Sequence, residues 1–145
     1  MTLFAQTIFV GFGAQDADRG TEYFEKTRRY IKLAREVTGP ILAGRPRVFH
    51  HTPATGSRGP ADWVVLEYSA RDAAAGYAGL FRLNGLAEET FLFQPRGVDL
   101  SRRYAVTLDN RGQTLELSGA ELALQGLPIR LAGAYTSELV LWREI

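Results

Sequence analysis

The sequence predicts a mainly β protein: an antiparallel β-sandwich preceded by one long N-terminal α-helix. After residue 46, apolar residues alternate in short runs separated by turn residues, which is typical of an antiparallel sandwich. Between residues 18 and 38 they recur every three and four positions, which is the period of an amphipathic helix. The change of period predicts two parts, an N-terminal segment at residues 1–45 and a sandwich domain at residues 46–145.

The N-terminal segment begins with an apolar stretch, residues 3–12, that fits either a buried strand or an arm. Gly11-Phe12-Gly13 indicates a turn, because a phosphate-binding loop would need a third glycine and a following apolar helix. The helix is predicted from Asp18 to Thr38, and Asp16 or Asp18 can cap its start. Its apolar face consists of Tyr23, Thr27, Tyr30, Ile31, Ala34 and Val37.

The end of this helix is predicted at Gly39-Pro40. A glycine can adopt the left-handed cap conformation there, and proline cannot continue a regular helix. Residues 41–43 could add one further turn before the strands begin.

The strands of the sandwich are predicted from alternation between turn residues. Their ranges are 47–52, 62–69, 77–83, 90–94, 103–108, 113–117, 127–131 and 135–142. In the hairpin formed by the fifth and sixth strands, Tyr104, Val106 and Leu108 should face the core. Residues 53–60 and 94–101 are predicted connectors, because they contain glycine and proline.

A capping box follows the hairpin at Ser118-Gly119-Ala120-Glu121. The serine hydroxyl and the glutamate carboxylate of such a box satisfy each other's exposed backbone donors at a helix start. Gly126 should end this short helix.

Composition excludes several kinds of site. Apolar residues make up 46% and charged residues 23% of the chain, the net charge is +1 and there is no cysteine. Disulfides, thiolate metal sites and a cysteine nucleophile are therefore excluded, and no cofactor is predicted. The dispersed charge argues against nucleic-acid binding. With no signal peptide and no membrane span in the sequence, we expect a cytoplasmic protein, unless it belongs to a longer secreted parent.

No catalytic set and no metal site are predicted. His50 and His51, the two histidines, should point to opposite faces of a strand, so that one of them could at most be a hydrogen-bond donor at the sheet edge. Acid–base or nucleophilic catalysis by acidic side chains needs two carboxylates held close together on rigid elements. The acids of this chain are instead expected at turns, in the capping box or on solvent faces, with Glu67 and Glu116 on a solvent face. The candidates are Asp62, Glu67, Asp72, Glu88, Glu89, Asp99, Asp109, Glu116, Glu121 and Glu138.

Aromatic side chains are frequent, and exposed rings can stack on sugars. Residues of this kind at strand spacing are more often part of a sandwich core. Trp63 and Trp142 are the candidates for carbohydrate binding, because one begins a strand after a loop and the other lies near the end of the chain.

The order of motifs after residue 103 resembles the end of bacterial α-galactosidase-like glycoside hydrolases of families 36 and 27. The motifs are Tyr104-Ala-Val-Thr, the Asp109-Asn-x-Gly turn, Ser118-Gly-Ala-Glu-Leu122, Gly126-Leu-Pro-Ile-Arg-Leu and Ala134-Tyr-Thr-Ser-Glu-Leu-Val. The likeness covers the last third of the chain closely and the middle third loosely. Enzymes of this type carry a C-terminal antiparallel β-domain after a catalytic (β/α)8 barrel.

The resemblance implies a non-catalytic domain that packs against a barrel and stabilises it, with the N-terminal helix as the last helix of that barrel. The catalytic carboxylates would lie on barrel strands that this chain is too short to contain. Two alternatives stay open at this point. One is a carbohydrate-binding module, and the other is an interaction domain that docks through the helix face of Tyr23, Tyr30 and Ile31 to a barrel or to a second copy.

Overall fold

The computed structural model describes residues 20–52, 62–83 and 88–145, with side chains from residue 24 onward. The apolar stretch 3–12, the Gly11-Phe12-Gly13 turn, the cap at Asp16 or Asp18 and the connector 53–60 lie outside the described residues. The chain divides into two compact units, Met1–Pro40 and Ile41–Ile145. The domain division near residue 45 stays a prediction.

The first unit contains helix α1, Gly20–Leu33, which is followed by a π-helical turn at Ala34–Thr38. A short helix α2 then spans Gly39–Ala43. Within the described residues, no helix combines the length and the apolar character that crossing a bilayer requires.

The predicted end of the helix at Gly39-Pro40 is wrong, whereas the further turn that the sequence allowed at residues 41–43 is confirmed. Gly39 has right-handed helical angles, φ −60° and ψ −50°, and its N–H donates to the Ala34 carbonyl five residues back. Such a wide turn differs from the regular helix in which a proline ring would collide with the preceding turn. The glycine serves close packing here, because a Cβ at Gly39 would lie 2.5 Å from the Ala34 oxygen.

The described residues of the second unit form eight antiparallel strands, and the predicted mainly β fold is confirmed. The strands are β1 Arg47–His50, β2 Trp63–Ser69, β3 Ala75–Arg82, β4 Thr90–Phe93, β5 Arg103–Leu108, β6 Gln113–Ser118, β7 Leu127–Arg130 and β8 Thr136–Glu144. Six of them form a sheet in the order β1-β2-β3-β8-β5-β6, and β4 pairs with β7.

One hydrophobic core joins the two sheets. It contains Val65 and Leu80 from the larger sheet together with Phe93 and Ile129 from the smaller one. The predicted inward residues of β5 are buried, as expected. The second unit is therefore a sandwich in which β2, β3, β8 and β5 supply most of one wall.

The capping box is confirmed. The Ser118 N–H donates to Glu121 Oε2 over 2.7 Å, and the Glu121 N–H donates to Ser118 Oγ over 3.1 Å. The turn that it starts is π-helical, Glu121–Gln125, and places Leu122 in the core. Gly126 ends it with φ +78°, a conformation that favours glycine.

Candidate functional site

Glu67 lies near the middle of β2 and has no exposed surface. The prediction of a solvent face for this residue is wrong. Side chains alternate along a strand, and the face that carries Trp63 and Val65 turns towards the core. Glu67 and Ser69 follow on that same face and are buried with it. Glu116, in contrast, is exposed on β6, as expected.

Four groups donate hydrogen bonds to the buried carboxylate or share a proton with it. The Ser69 hydroxyl and the Gly97 N–H each lie 2.7 Å from Glu67 Oε1. The Arg96 N–H lies 3.0 Å from Oε2, and His51 Nε2 lies 2.7 Å from the same oxygen. Both oxygens are fully used, which is the condition under which a buried charge is tolerated.

The loop that carries two of these donors is the predicted connector 94–101. Its backbone approaches the sheet closely at Gly97, where a Cβ would lie 1.9 Å from Ser69 Oγ. Arg47, on the edge strand β1, donates a hydrogen bond from Nη2 to the Gly97 carbonyl oxygen at a distance of 3.1 Å. The loop is therefore fixed to β1 and β2 through both its N–H and its C=O groups.

His51 directly follows β1, and its side chain is 7% exposed. Its ring packs edge-on against Phe93 with a centroid separation of 5.2 Å. His50 is exposed. A histidine at the sheet edge with a hydrogen-bonding role agrees with the sequence interpretation, but its partner Glu67 was missed. One feature of the sequence could have indicated that Glu67 is buried. Glu67 and Ser69 follow Trp63 and Val65 at alternate positions, so all four share one face of β2.

An open cleft of about 690 Å³ lies beside this cluster. Its polar lining residues are His51, Gln94 and Arg96. Its apolar lining residues are Phe91, Leu92, Pro95, Val98, Leu100 and Ala123. The buried Glu67–His51 pair thus supports one wall of the cleft, while the carboxylate itself is not among the lining residues.

Glu138 on β8 is a second buried carboxylate, which corrects the expectation that it points outward. Its Oε1 accepts from the Asn110 N–H over 2.8 Å, and Arg111 Nε lies 3.4 Å from its Oε2. Glu67 and Glu138 therefore each have their own partners. The described residues contain no group of three side chains able to hold a metal ion.

Two further acids, Glu121 and the half-buried Asp99, are held by local hydrogen bonds instead. Bonds from the Ser118 N–H and hydroxyl lower the pKa of Glu121. Bonds from the Ser101 hydroxyl and N–H lower the pKa of Asp99 in the same way. Each of these carboxylates stabilises a turn.

Trp63 and Trp142 lie in the core, 7% and 3% exposed. Trp63 Nε1 donates to the Glu88 carbonyl over 3.0 Å, and Trp142 packs against Phe93 with centroids 6.1 Å apart. Neither ring forms an exposed platform in this structure. Carbohydrate binding through these two residues stays a prediction.

No family model and no curated protein sequence matches the chain. Its structure is similar to those of solved α-galactosidases. A variant of the GH36 α-galactosidase AgaA from Geobacillus stearothermophilus, in complex with raffinose, matches with a TM-score of 0.64 and 14% identity. That match covers 88% of this chain and 17% of AgaA.

Two further α-galactosidase structures give the same result. The enzyme from Lactobacillus brevis matches with a TM-score of 0.52 and 15% identity, over 92% of this chain and 17% of that chain. The galactosidase domain of the α-galactosidase-sucrose kinase AgaSK matches with a TM-score of 0.53 and 15% identity, with the same coverage of 92% and 17%. The predicted resemblance is confirmed at the level of fold: the chain folds like a segment that makes up 17% of a GH36 α-galactosidase.

Proposed function

We propose that this chain is the non-catalytic C-terminal β-sandwich domain of an α-galactosidase-like glycoside hydrolase, and that it packs against a catalytic barrel and stabilises it. The observation that carries the proposal is the asymmetry of the structural match. The match covers 88% of this chain but only 17% of AgaA, so that most of the enzyme has no counterpart here. The helical segment that precedes the sandwich would be the last helix of the barrel.

The chemistry of the buried acids supports a structural role. A general acid or a nucleophile needs an oxygen that a substrate can reach. The oxygens of Glu67 are occupied by donors from Ser69, Gly97, Arg96 and His51. Glu138 is similarly engaged with Asn110 and Arg111.

A domain that supports a neighbour must itself be rigid at its edges. The carboxylate of Glu67 ties the exit of β1, the strand β2 and the loop 94–101 into one unit. Edge strands and loops are otherwise the parts of a sandwich that open most easily. We therefore infer that Glu67 and its hydrogen-bond donors stabilise the edge of the domain against local opening.

The test of the non-catalytic part is hydrolysis of p-nitrophenyl α-galactoside by the isolated chain. We expect no release of nitrophenol, while AgaA under the same conditions serves as the positive control. Circular dichroism must show that the chain is folded in the same sample. Turnover that is lost together with folded structure on heating would refute the proposal.

The proposal requires that a catalytic barrel is encoded before this sequence, and the test of the barrel partnership uses that longer protein. The whole protein and a version that ends before residue 46 are compared by thermal unfolding. We expect the shortened protein to unfold at a lower temperature, because the barrel loses a packed surface. An unchanged unfolding temperature would argue for the alternative of an independent interaction domain.

That alternative includes self-association through the helix face, on which Tyr30 and Ile31 are half-buried while the side chain of Tyr23 lies outside the described residues. Sedimentation of the isolated chain decides it: a concentration-dependent dimer would support the alternative. Localisation in the bacterial cytoplasm belongs to the same proposal.

A further inference from the structure

We propose that the cleft beside His51 is a binding site for a small organic acid, a ligand with one anionic head and an apolar body. This inference does not depend on a partner barrel, because it concerns only the lining of the cleft. At about 690 Å³ the cleft falls within the range of volumes that small-molecule sites have.

The apolar half of the argument rests on two exposed leucines. Leu92 and Leu100 line the cleft and are 53% and 54% exposed. Phe91 and Val98 lie beside them and pack against the core, so that the cleft floor is continuous with the hydrophobic interior. When a ligand covers an exposed apolar surface of this kind, water is displaced from it and the bound state is stabilised.

The polar half rests on Arg96, the one permanently charged side chain among the described residues that line the cleft. Its backbone N–H is bound to Glu67, which fixes the position of the residue. Its side chain is exposed, and no carboxylate of the described residues forms an ion pair with it. A planar guanidinium in such a position suits a carboxylate, which can accept two of its N–H groups.

Gln94 and Glu67, the polar side chains next to Arg96, have other hydrogen-bond partners and do not neutralise the guanidinium by direct contact. Gln94 uses its side-chain amide to bind the Leu124 carbonyl over 3.0 Å. Glu67 is turned away, because its oxygens receive the donors of His51, Ser69 and the loop. Among the described residues, the lining therefore combines the guanidinium of Arg96, which forms no ion pair with them, with apolar side chains. This combination is complementary to a monoanion with a hydrocarbon or ring body.

The probe is hexanoate, with hexanamide as a neutral ligand of nearly the same shape and acetate as a head group without a body. Binding is followed by amide chemical shifts of the folded chain. We expect hexanoate to shift the signals of Arg96, Gly97 and Leu100 in a saturable manner, and hexanamide and acetate to bind at least about tenfold more weakly.

Two variants separate the contributions. Arg96→Gln should weaken hexanoate binding by about tenfold and leave hexanamide binding unchanged, since only the charge-assisted contact is lost. Leu100→Asn should weaken both ligands. Arg143→Gln, which changes an exposed arginine of β8 outside the cleft, is the matched control and should bind hexanoate normally.

The proposal is overturned if hexanoate gives no saturable shift at millimolar concentration, or if hexanamide binds as well as hexanoate. It is also overturned if Arg96→Gln binds hexanoate as the parent does, provided that its unfolding temperature is unchanged. None of these results bears on the barrel partnership, whose test is the unfolding of the longer protein.

Discussion

Glu67 collects donors from three separate stretches of the chain: the exit of β1, β2 itself and the loop 94–101. An ionised carboxylate without such partners would be very costly in the core. With them, the cost of burial is offset and the three stretches are held in one arrangement. Loss of the carboxylate should therefore affect stability more than loss of an exposed one.

The first prediction concerns Glu67→Leu, which introduces an apolar side chain of similar size and removes both acceptor oxygens. The amides of Arg96 and Gly97 then lose their acceptor, and we expect a loss of about 3–5 kcal/mol in the free energy of unfolding in urea. Glu67→Gln, which retains one acceptor, should fall between this variant and the parent. Glu116→Leu on the exposed face of β6 is the control and should stay within about 0.5 kcal/mol. Equal effects of the two leucine variants would contradict the assigned role.

The second prediction concerns the close contact between the loop and β2. Gly97→Ala would place a Cβ 1.9 Å from Ser69 Oγ and 2.1 Å from Ser69 Cβ, so we expect a loss of about 1–3 kcal/mol through overpacking. In a Ser69→Gly background both of those atoms are absent, and the same change should cost less. A double-mutant cycle in urea measures this difference, and additive effects would show that the contact does not limit packing.

At the scale of elements, the turn Glu121–Gln125 depends on its capping box. Hydrogen bonds from the Ser118 N–H and hydroxyl hold the pKa of Glu121 below its ordinary value of 4.5. Because the folded state lowers this pKa, the stabilisation is present above about pH 4.5 and is lost as the pH falls through the folded value.

The third prediction concerns the two hydrogen bonds from Ser118 that lower the pKa of Glu121. Ser118→Ala removes the hydroxyl donor and should raise the pKa of Glu121 towards 4.5, while the remaining backbone donor keeps part of the shift. Carbon-13 NMR titration of the Glu121 carboxyl measures it. Thr114→Ala in the same strand β6 is the control and should leave the titration of Glu121 unchanged. A titration that Ser118→Ala does not move would mean that the box is not formed in solution.

At the scale of the whole molecule, the two tryptophans belong to the core that joins the sheets. Trp63 contacts Phe91 with ring centroids 5.5 Å apart, and Trp142 fills the space above Gly76, where a Cβ would lie 2.2 Å from the indole ring. Rings enclosed in this way can report unfolding, and they expose little surface on which a sugar could stack.

The fourth prediction is that methyl α-galactoside leaves the tryptophan emission of the folded chain unchanged. Unfolding in urea provides the control, because it should shift the emission of both rings as water reaches them. A saturable change in emission with the galactoside would instead support a carbohydrate-binding module and would locate the ligand near one of the two indoles.

Local patterns in the sequence were sufficient to predict the β5–β6 hairpin and the capping box after it. Tyr104, Val106 and Leu108 occupy alternate positions of a strand that is bounded by turn residues. Ser118 and Glu121 are only three residues apart, so their hydrogen bond needs no contact with the rest of the fold. The end of the N-terminal helix was predicted wrongly. The low helix propensity of glycine and proline applies to a regular α-helix, and the wider π-helical turn before Gly39 can accommodate a proline.

The sequence by itself therefore determined the strands, their turns and the mainly β class, since these depend on neighbours within a few residues. Only the tertiary structure decided which face of β2 is the inner one, and with it the burial of Glu67. The donors at His51 and Gly97 lie 16 and 30 residues away from Glu67 along the chain. Periodicity carries no information about contacts over such separations, because they exist only once the sheets have packed together.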